Sequence, residues 1–220
     1  MNKFKLITDA IISEPELIVE QKNANIPAVH KVRAPYLAAD VVNENNRSYD
    51  YNTLKEAVSL YNKEMVILNS AIGELGHPQS PKINYDRACH KVIDLKEDKS
   101  SKIWIGTSQI LEGTPKGDLM FGLLKNKVRI GFSSRGVGKC TDGIVDAYKL
   151  RAIDVVSDPS APGCFVDGIL ESKEYMINSH GDIVEIAYDQ LEENLKTLPK
   201  TQDDKTAKLQ LIIETMLKSI

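Results

Sequence analysis

The sequence predicts an α+β fold that is mainly β up to about residue 170, followed by a polar arm. Short apolar runs separated by Gly, Pro and Asn recur through the first part, whereas apolar stripes with helical spacing are few. Beyond Glu171 the composition becomes polar, until residues 206–220 again show a helical apolar stripe. We therefore predict a domain over residues 1–171 and an arm over residues 172–220 that ends in an amphipathic helix.

The overall charge and the cysteine content argue against several classes of protein. A formal net charge of -3 gives no reason to expect nucleic acid or an anionic membrane as the main partner. No apolar run approaches the roughly 20 residues of a membrane-spanning helix, and Asp9 comes too early for a secretory signal, so we expect a cytosolic protein. Cys89, Cys140 and Cys164 form no Cys-x-x-Cys pair, which argues against a disulfide framework and a structural zinc site. We expect each of them to be a small buried apolar side chain.

The first half of the chain predicts short strands, one helix and a loop that carries a histidine. The extended pieces cover residues 6–7, 17–19, 29–42 and 65–72. A helix is predicted over residues 54–61, with Asn52 or Thr53 as its cap, because its apolar residues share one face. The strand over 65–72 leads into GELGHP at residues 73–78. The preceding glycines, Gly73 and Gly76, and the proline that follows place His77 in a loop at the mouth of that strand.

The second half of the chain predicts a series of strands and one more helix. The strands cover, in order, residues 88–95, 103–111, 128–132, 143–148, 150–156 and 166–170. Between the second and third of them, a turn is followed by a short helix with Asp118 as its cap. The strand that ends at Phe132 runs into SSRGVG at residues 133–138, which we interpret as a glycine-rich turn.

The glycine-rich segment has the local surroundings that a nucleophilic serine requires. A serine hydroxyl is a poor nucleophile until an imidazole takes its proton, and the attacked carbonyl oxygen needs nearby donors. Ser133 ends an apolar strand, and the two glycines after it would let the backbone turn its amides inward. Arg135 adds a fixed charge that could hold this turn or an oxyanion. A hairpin in which the two serines only cap the turn is the alternative at this stage.

Among the four histidines, His77 has the surroundings of a catalytic base. Glycines, a proline and Glu74 lie close to it in the sequence. His180 lies in the polar arm, His30 lies alone in an early strand, and His90 could be a core residue. No pair of histidines shares a helix face with a third ligand, so no metal site is predicted.

Five short motifs lie in one order between about residues 35 and 170. Two are the histidine and serine segments, GELGHP at residues 73–78 and GFSSRGVG at residues 131–138. Three supporting motifs are VVNENNRSY at residues 41–49, LKEAV at residues 54–58 and DPSAP at residues 158–162. In this order they resemble the prohead proteases of T4-like tailed phages, which belong to the wider group that includes the herpesvirus assemblins.

The resemblance implies a catalytic role for three residues. The family's histidine falls on His77, and its nucleophile falls on Ser133, the first serine of the pair. Its acidic residue falls on Asp154, where a carboxylate in an apolar strand needs a buried partner such as the Nδ1–H of His77. Herpesvirus assemblins use a second histidine in this place, so His90 stays an alternative. The residues expected to support the turn or the oxyanion are Ser134, Arg135 and Gly136.

The resemblance also implies a fold and a function. The fold is an assemblin-like β-barrel flanked by helices, and the activity is that of a serine endopeptidase without metal or organic cofactor. The implied substrates are phage scaffold and major capsid proteins, cut after Glu inside the assembling prohead in the host cytoplasm. Self-processing of a zymogen is also implied, and Glu185 and Glu214 in the arm are the candidate cleavage sites. Relatives form rings or dimers, so a homo-oligomer is expected.

Three other functions are compatible with the residues. The first is a non-catalytic structural protein that forms rings or tubes on the same core, and the presence of His, Ser and an acid disfavours it. The second is a hydrolase with Cys140 or Cys164 as nucleophile, although neither cysteine lies in a matching glycine-rich segment. The third is a plain scaffold-binding module. Cleavage by the Ser133→Ala variant would separate these alternatives from a serine protease.

Overall fold

The computed structural model describes residues 4–11, 15–20, 28–43, 45–157, 174–177 and 181–186. The chain divides into two compact units, one of which is Lys5–Leu170, while the other combines Met1–Phe4 with Glu171–Ile220. The boundary that we expected at residue 171 stays a prediction, because it lies outside the described residues, as do the strand predicted over 166–170 and the terminal helix.

The larger unit contains nine described strands and two α-helices. The strands are β1 (Lys5–Ile11), β2 (Glu16–Glu20), β3 (Val29–Ala38), β4 (Ser48–Tyr49), β5 (Ile72–Glu74), β6 (Ala88–Asp98), β7 (Ile103–Ile110), β8 (Ile130–Thr141) and β9 (Ile144–Ser157). The helices are α1 (Tyr51–Tyr61) and α2 (Pro115–Lys125), with a π-helical turn over Asn62–Val66 and a 3-10 turn over Tyr85–Arg87. In the smaller unit, β10 (Glu174–Ile177) and β11 (Ile183–Ile186) form an antiparallel pair, and Phe4 bridges to Tyr175.

The strands of the larger unit form two sheets. One has the order β1-β8-β9-β4, and the other has the order β2-β3-β7-β6-β5. Within the first sheet, β8 pairs antiparallel with β1 on one side and with β9 on the other. Every residue of β8 from Ile130 to Gly138 is buried. A side chain carried by β8 is therefore held by neighbours on both sides.

The expectation of a mainly β fold with two helices is confirmed, whereas a closed barrel is not. The described strands belong to separate sheets, which meet at the isolated parallel bridge between Leu75 and Val155. Next to this bridge the amide of Gly76 donates to the Val155 carbonyl at 2.7 Å. Because β5 has only three residues, it ends before it could form a continuous ladder with β9. This bridge nevertheless fixes the segment that follows β5 against the C-terminal end of β9.

Both helices begin at residues other than the predicted caps. The apolar stripe predicted for α1 is confirmed, since its buried residues are Leu54, Ala57, Val58 and Tyr61. Its cap is Asp50, whose carboxylate accepts hydrogen bonds from the backbone amides of the second and third residues that follow. In α2 the cap is Thr114 rather than Asp118, because Pro115 is suited to the first helical position.

Three predicted segments have a different structure. The run over residues 65–72 was predicted as a strand, but it forms the end of the π-helical turn and a further turn, with Ile67 71% exposed. The glycine-rich turn predicted over residues 133–138 is wrong, because these residues lie inside β8. A Cβ on Gly136 would lie 2.4 Å from the Lys149 carbonyl oxygen, so the glycine permits close approach to β9 at a bulge. Similarly, the two strands predicted over 143–156 are one continuous strand, β9.

Two of the three cysteines lie in the described residues. The thiol of Cys89 is buried, as predicted, whereas Cys140 is only partly buried and Cys164 lies outside the described residues. Burial raises the pKa of Cys89 far above its usual range, which leaves the thiol unreactive. None of the helices in the described ranges is both long enough and apolar enough to cross a membrane.

Candidate active site

The larger unit brings together three side chains that the sequence predicted to act together. Ser133 lies on β8, and Asp154 lies directly opposite it on β9. His77 follows the short strand β5, three residues beyond Glu74. Gly76 just before it has a φ of 78°, a left-handed conformation that favours glycine and turns the chain. The bridge from Leu75 to Val155 holds this turn beside β9, so the imidazole reaches both Ser133 and Asp154.

Both ring nitrogens of His77 are hydrogen-bonded. Nδ1 lies 2.9 Å from Oδ2 of Asp154, and Nε2 lies 2.5 Å from Oγ of Ser133. An ionised carboxylate can only accept, so Nδ1 of a neutral imidazole carries the hydrogen and Nε2 accepts the proton of the Ser133 hydroxyl. Ser133 is 1% exposed and Asp154 is fully buried, while the His77 side chain keeps 23% exposure. The arrangement can therefore remove a proton from a serine hydroxyl in a site largely shielded from water.

The carboxylate of Asp154 accepts hydrogen bonds from three residues. Oδ2 accepts from His77 and, at 2.7 Å, from Nε of Arg135. Oδ1 accepts from the backbone amide of Glu74 at 3.1 Å and from Nη2 of Arg135 at 3.2 Å. Burial by itself would raise the pKa of Asp154, but the hydrogen bond from His77 and the charge and hydrogen bonds of Arg135 lower it below its usual value. Asp154 is thus held ionised although it has no contact with water.

Arg135 is a buried link between two carboxylates. Its Nη2 donates to Oε1 of Glu74 at 2.8 Å, and its Nη1 donates to the Ser80 carbonyl at 2.6 Å and the Lys82 carbonyl at 3.2 Å. Burial would lower the pKa of the guanidinium, but Asp154 and Glu74 raise it above its usual value. We expected Arg135 to hold a turn or an oxyanion, whereas its guanidinium is bonded to these carboxylates and carbonyls within the sheet and the adjoining loop.

The remaining predicted site residues lie elsewhere. Ser134 is buried on β8, one residue after Ser133, and Gly136 lies at the β8 bulge opposite Leu150. Because strand residues alternate, Ser134 points to the face opposite to that of Ser133. Glu185 lies in β11 of the smaller unit, opposite Tyr175, and Glu214 lies outside the described residues.

His90, the alternative to Asp154, is a buried core residue on β6. Its ring meets that of Phe132 edge to face, with centroids 5.4 Å apart. Neither ring nitrogen makes a hydrogen bond of good geometry with any described residue. Burial lowers the pKa of His90 to about 4, against the opposing charge of Asp154. At neutral pH this imidazole is uncharged, and both nitrogens of His77 are already bonded to Asp154 and Ser133.

A metal site was not predicted, and the described ranges contain no cluster of three or more His, Cys, Asp or Glu side chains arranged to hold a metal ion. The polar groups of the site are instead bonded to each other. What the arrangement offers chemically is an activated hydroxyl, a base and a buried carboxylate.

Comparison with known proteins gives the family. The model of the prohead core protein serine proteases matches residues 13–174, well over half of the chain. The chain belongs to this family. The matched range contains His77, Ser133 and Asp154, together with every strand of the two sheets except β1.

Two relatives are similar to this chain in sequence or structure. The prohead core protein protease of Enterobacteria phage T4 is 33% identical over 139 residues, which are 60% of this chain and 65% of that protein. The match thus spans slightly less than two thirds of the relative's length. The solved structure of the bacteriophage T4 capsid assembly protease, gp21, superposes with a TM-score of 0.66 at 28% identity, over 72% of this chain and all of the other.

The contact of the Glu74 side chain with Arg135 was not predicted from the sequence. Glu74 is fully buried and contacts Arg135, although we noted it only as a neighbour of His77. A signal was present in the apolar run of β8, because a guanidinium inside a central strand requires buried carboxylates as partners. Interpreting residues 133–138 as a glycine-rich turn concealed that requirement.

Proposed function

We propose that the chain is a serine endopeptidase that acts in capsid maturation inside a phage prohead. Ser133 is the nucleophile, His77 is the general base, and Asp154 orients and stabilises the imidazole. One observation carries the proposal: His77 is hydrogen-bonded through Nε2 to Ser133 and through Nδ1 to Asp154. Membership of the prohead core protease family gives independent support.

In the acylation step, Oγ of Ser133 attacks the carbonyl carbon of the scissile peptide bond while Nε2 of His77 takes the hydroxyl proton. The resulting imidazolium is stabilised by the ionised Asp154 at Nδ1. Collapse of the tetrahedral intermediate breaks the C–N bond, and His77 returns the proton to the leaving amine. The products are a free amine and an ester of the acyl group with Ser133.

Deacylation repeats these steps with water. Nε2 of His77 takes a proton from a water molecule, whose oxygen attacks the ester carbonyl, and His77 then returns the proton to Oγ of Ser133. The peptide carboxylate leaves, and the resting hydrogen bonds form again. No metal or organic cofactor takes part in the proposed reaction.

The proposed substrates are the scaffold and major capsid proteins of the same phage. The printed names of the relatives, a prohead core protein protease and a capsid assembly protease, support this assignment. Cleavage after Glu, self-processing of a zymogen, assembly into a homo-oligomer and location within the prohead in the host cytoplasm are part of the proposal. The proposed self-cleavage sites are Glu185 and Glu214, in the arm that would recruit the enzyme to the scaffold.

Labelling with a fluorophosphonate probe tests the proposed chemistry without knowledge of the substrate. The probe forms a covalent bond with an activated serine, so mass spectrometry of the labelled peptides should place it on Ser133. The Ser133→Ala and His77→Ala variants should not be labelled. Ser134→Ala is the matched control, since it changes the adjacent buried serine on the opposite face of β8, and it should still be labelled.

Co-expression with the scaffold and capsid proteins tests the biological role. The wild-type chain should cleave them and the Ser133→Ala variant should not. A wild-type chain that neither reacts with the probe nor cleaves these proteins would favour the non-catalytic ring- or tube-forming alternative.

A further inference from the structure

Glu74 is the last residue of β5, three residues before His77, and it contacts Asp154 on β9. Its backbone amide donates to Oδ1 of Asp154 at 3.1 Å, and its carboxylate accepts from Nη2 of Arg135 at 2.8 Å. The same carboxylate oxygen accepts a hydrogen bond from the backbone amide of Asn84 at 2.9 Å. Its other oxygen lies 3.4 Å from Nε of Arg87, whose side chain is 38% exposed. A chain of charged groups thus extends from Asp154 through Arg135 and Glu74 to the partly exposed Arg87.

These four side chains carry two negative and two positive charges. Asp154, Glu74 and Arg135 are fully buried, so two negative charges meet one positive charge away from water, and Arg87 supplies the second positive charge at the edge. Arg135 shares its guanidinium between Asp154 and Glu74 instead of serving Asp154 alone. Buried charges act on each other much more strongly than exposed ones.

Three of the other ionisable groups around this cluster carry no charge at neutral pH. Tyr61 on α1 and Cys89 and His90 on β6 are buried, and their shifted pKa values keep all three neutral. Arg151 on β9 is positively charged and lies near Tyr61. Its Nε donates to the Pro81 carbonyl, in the loop after His77. The fixed charges around the site are therefore those of Asp154, Arg135 and Glu74, together with Arg151 and with Arg87, whose Nη2 donates to the Leu75 carbonyl at 2.6 Å.

We propose that Glu74 is a positioning residue of the catalytic unit, because it balances the charge of Arg135 and leaves the negative charge of Asp154 effective at His77. The inference rests on the proposed function. Without Glu74, the guanidinium would neutralise Asp154, and the imidazolium that forms during acylation would lose stabilisation. In the wild-type chain Arg135 supports the reaction because it holds Asp154 in place. Without Glu74, its positive charge would instead weaken the effect of Asp154 on the imidazolium.

The Glu74→Gln variant separates charge from shape. Glutamine has the same size and can accept from Arg135 and Asn84, but it lacks the negative charge. We expect the probe to label Ser133 at least about tenfold more slowly at neutral pH. Because protonation of His77 becomes less favourable, the acid limb of the labelling rate should move about one unit to lower pH. A purely structural role would lower the labelled fraction without moving this limb.

Arg87→Gln provides a second variant, which removes a positive charge instead of a negative one. Arg87 is partly exposed, so its removal is easier to tolerate, and it takes away a positive charge that partly offsets the negative charge of Glu74. We expect the acid limb to move to higher pH, by less than in Glu74→Gln, and thermal unfolding shows which variants are folded. An unmoved acid limb in folded Glu74→Gln, or in Arg87→Gln if the first variant does not fold, would overturn the inference. Complete loss of labelling at every pH in a folded Glu74→Gln chain would also overturn it, because shape would then be decisive.

Failure of the proposed function has a different signature. It would appear as a wild-type chain in which the probe does not react with Ser133, and the inference would fall with it. If the wild-type serine is labelled and the profile of the variants is unchanged, only the role assigned to Glu74 is wrong.

Discussion

Ser133 and Asp154 are direct cross-strand partners in the β8–β9 ladder. Side chains at opposed positions of an antiparallel pair leave the same face of the sheet, so the proposed nucleophile and acid are fixed relative to each other by backbone hydrogen bonds. His77 enters from a separate segment and bridges the two. The precision of the site therefore depends mostly on how the segment after β5 is held.

His77 and Ser133 should behave as one unit in kinetics. We expect His77→Ala and Ser133→Ala each to abolish proteolysis, because neither side chain generates the nucleophile alone. The double variant should lose little more than either single variant. Cleavage of co-expressed capsid proteins, followed by mass spectrometry, measures this. Near-normal cleavage by Ser133→Ala together with loss of cleavage by Ser134→Ala would mean that the second serine is the nucleophile.

Asp154→Asn should reduce both turnover and stability. Asparagine cannot stabilise the imidazolium, so we expect a loss of roughly 10³- to 10⁴-fold in turnover. The sequence led us to expect an intact fold, but the structure adds a cost, since Arg135 would keep only Glu74 as a carboxylate partner. Breaking a buried ion pair costs about 3–5 kcal/mol, which urea unfolding can measure. An active Asp154→Asn enzyme beside an inactive His90→Ala enzyme would transfer the role to His90.

The stability of the domain should fall in acid in two stages. His90 has a pKa lowered from 6.5 to about 4, so the unfolded chain binds a proton that the folded chain does not bind between these values. Stability should therefore fall as the pH drops from 6.5 to about 4, by about 3 kcal/mol in total. Asp154, whose pKa is lowered from 3.8, contributes stability above that pH and loses it as the pH falls further.

The first stage can be assigned with His90→Leu. This substitution removes the titrating ring, so unfolding by urea at a series of pH values should show a flat free energy between about pH 6.5 and 4. The second stage should persist, because Asp154 is unchanged. The same slope in both proteins would mean that His90 does not cause the first stage.

Gly73→Ala should weaken both the fold and the site. A Cβ at this position would lie 2.0 Å from the Ile153 carbonyl oxygen and 2.1 Å from Nε2 of His90, so β5 would have to shift and His77 with it. We expect a loss of about 1–3 kcal/mol in stability and slower labelling of Ser133. Gly122→Ala is the control, because it lies in α2 with no atom within 4 Å of the added Cβ, and it should be neutral or stabilising. Equal melting temperatures for the two variants would contradict this account.

Truncation after residue 185 tests the proposed role of the arm. The cut lies inside β11, one residue before its end. We expect a soluble, active protease that is no longer recruited into assembling proheads, measured by solubility, by labelling of Ser133 and by its recovery with proheads. An insoluble or unfolded product would show that the removed residues belong to the core of the domain.

The residues that meet in the candidate site were easier to predict than the backbone that carries them. His77, Ser133 and Asp154 were identified through the motif resemblance, and α1 through its apolar stripe, because both signals are local in the sequence. The stripe reflects one buried helix face, which needs no knowledge of the partner that covers it. The mainly β character followed from the alternation of short apolar runs with turn residues.

The interpretation of residues 133–138 failed for a physical reason. Glycines in a sequence signal either a turn or a close approach between backbones, and only tertiary structure distinguishes them. Here Gly136 and Gly138 lie against the backbone of β9, so the strand continues through them. Likewise, the apolar residues Ile67 and Leu68 lie exposed in a turn, which no periodicity of the sequence indicates.

The three proposed catalytic side chains come from distant parts of the chain. His77 is separated from Ser133 by 56 positions and from Asp154 by 77. Contacts this far apart form late in folding, because the loops between them must close first. A ribosome that has not yet produced β9 holds a chain with a serine and a histidine but no acid to orient them. The proposed proteolytic activity would therefore be absent until β9 has been made, and the nascent chain and its neighbours would be protected from premature cleavage.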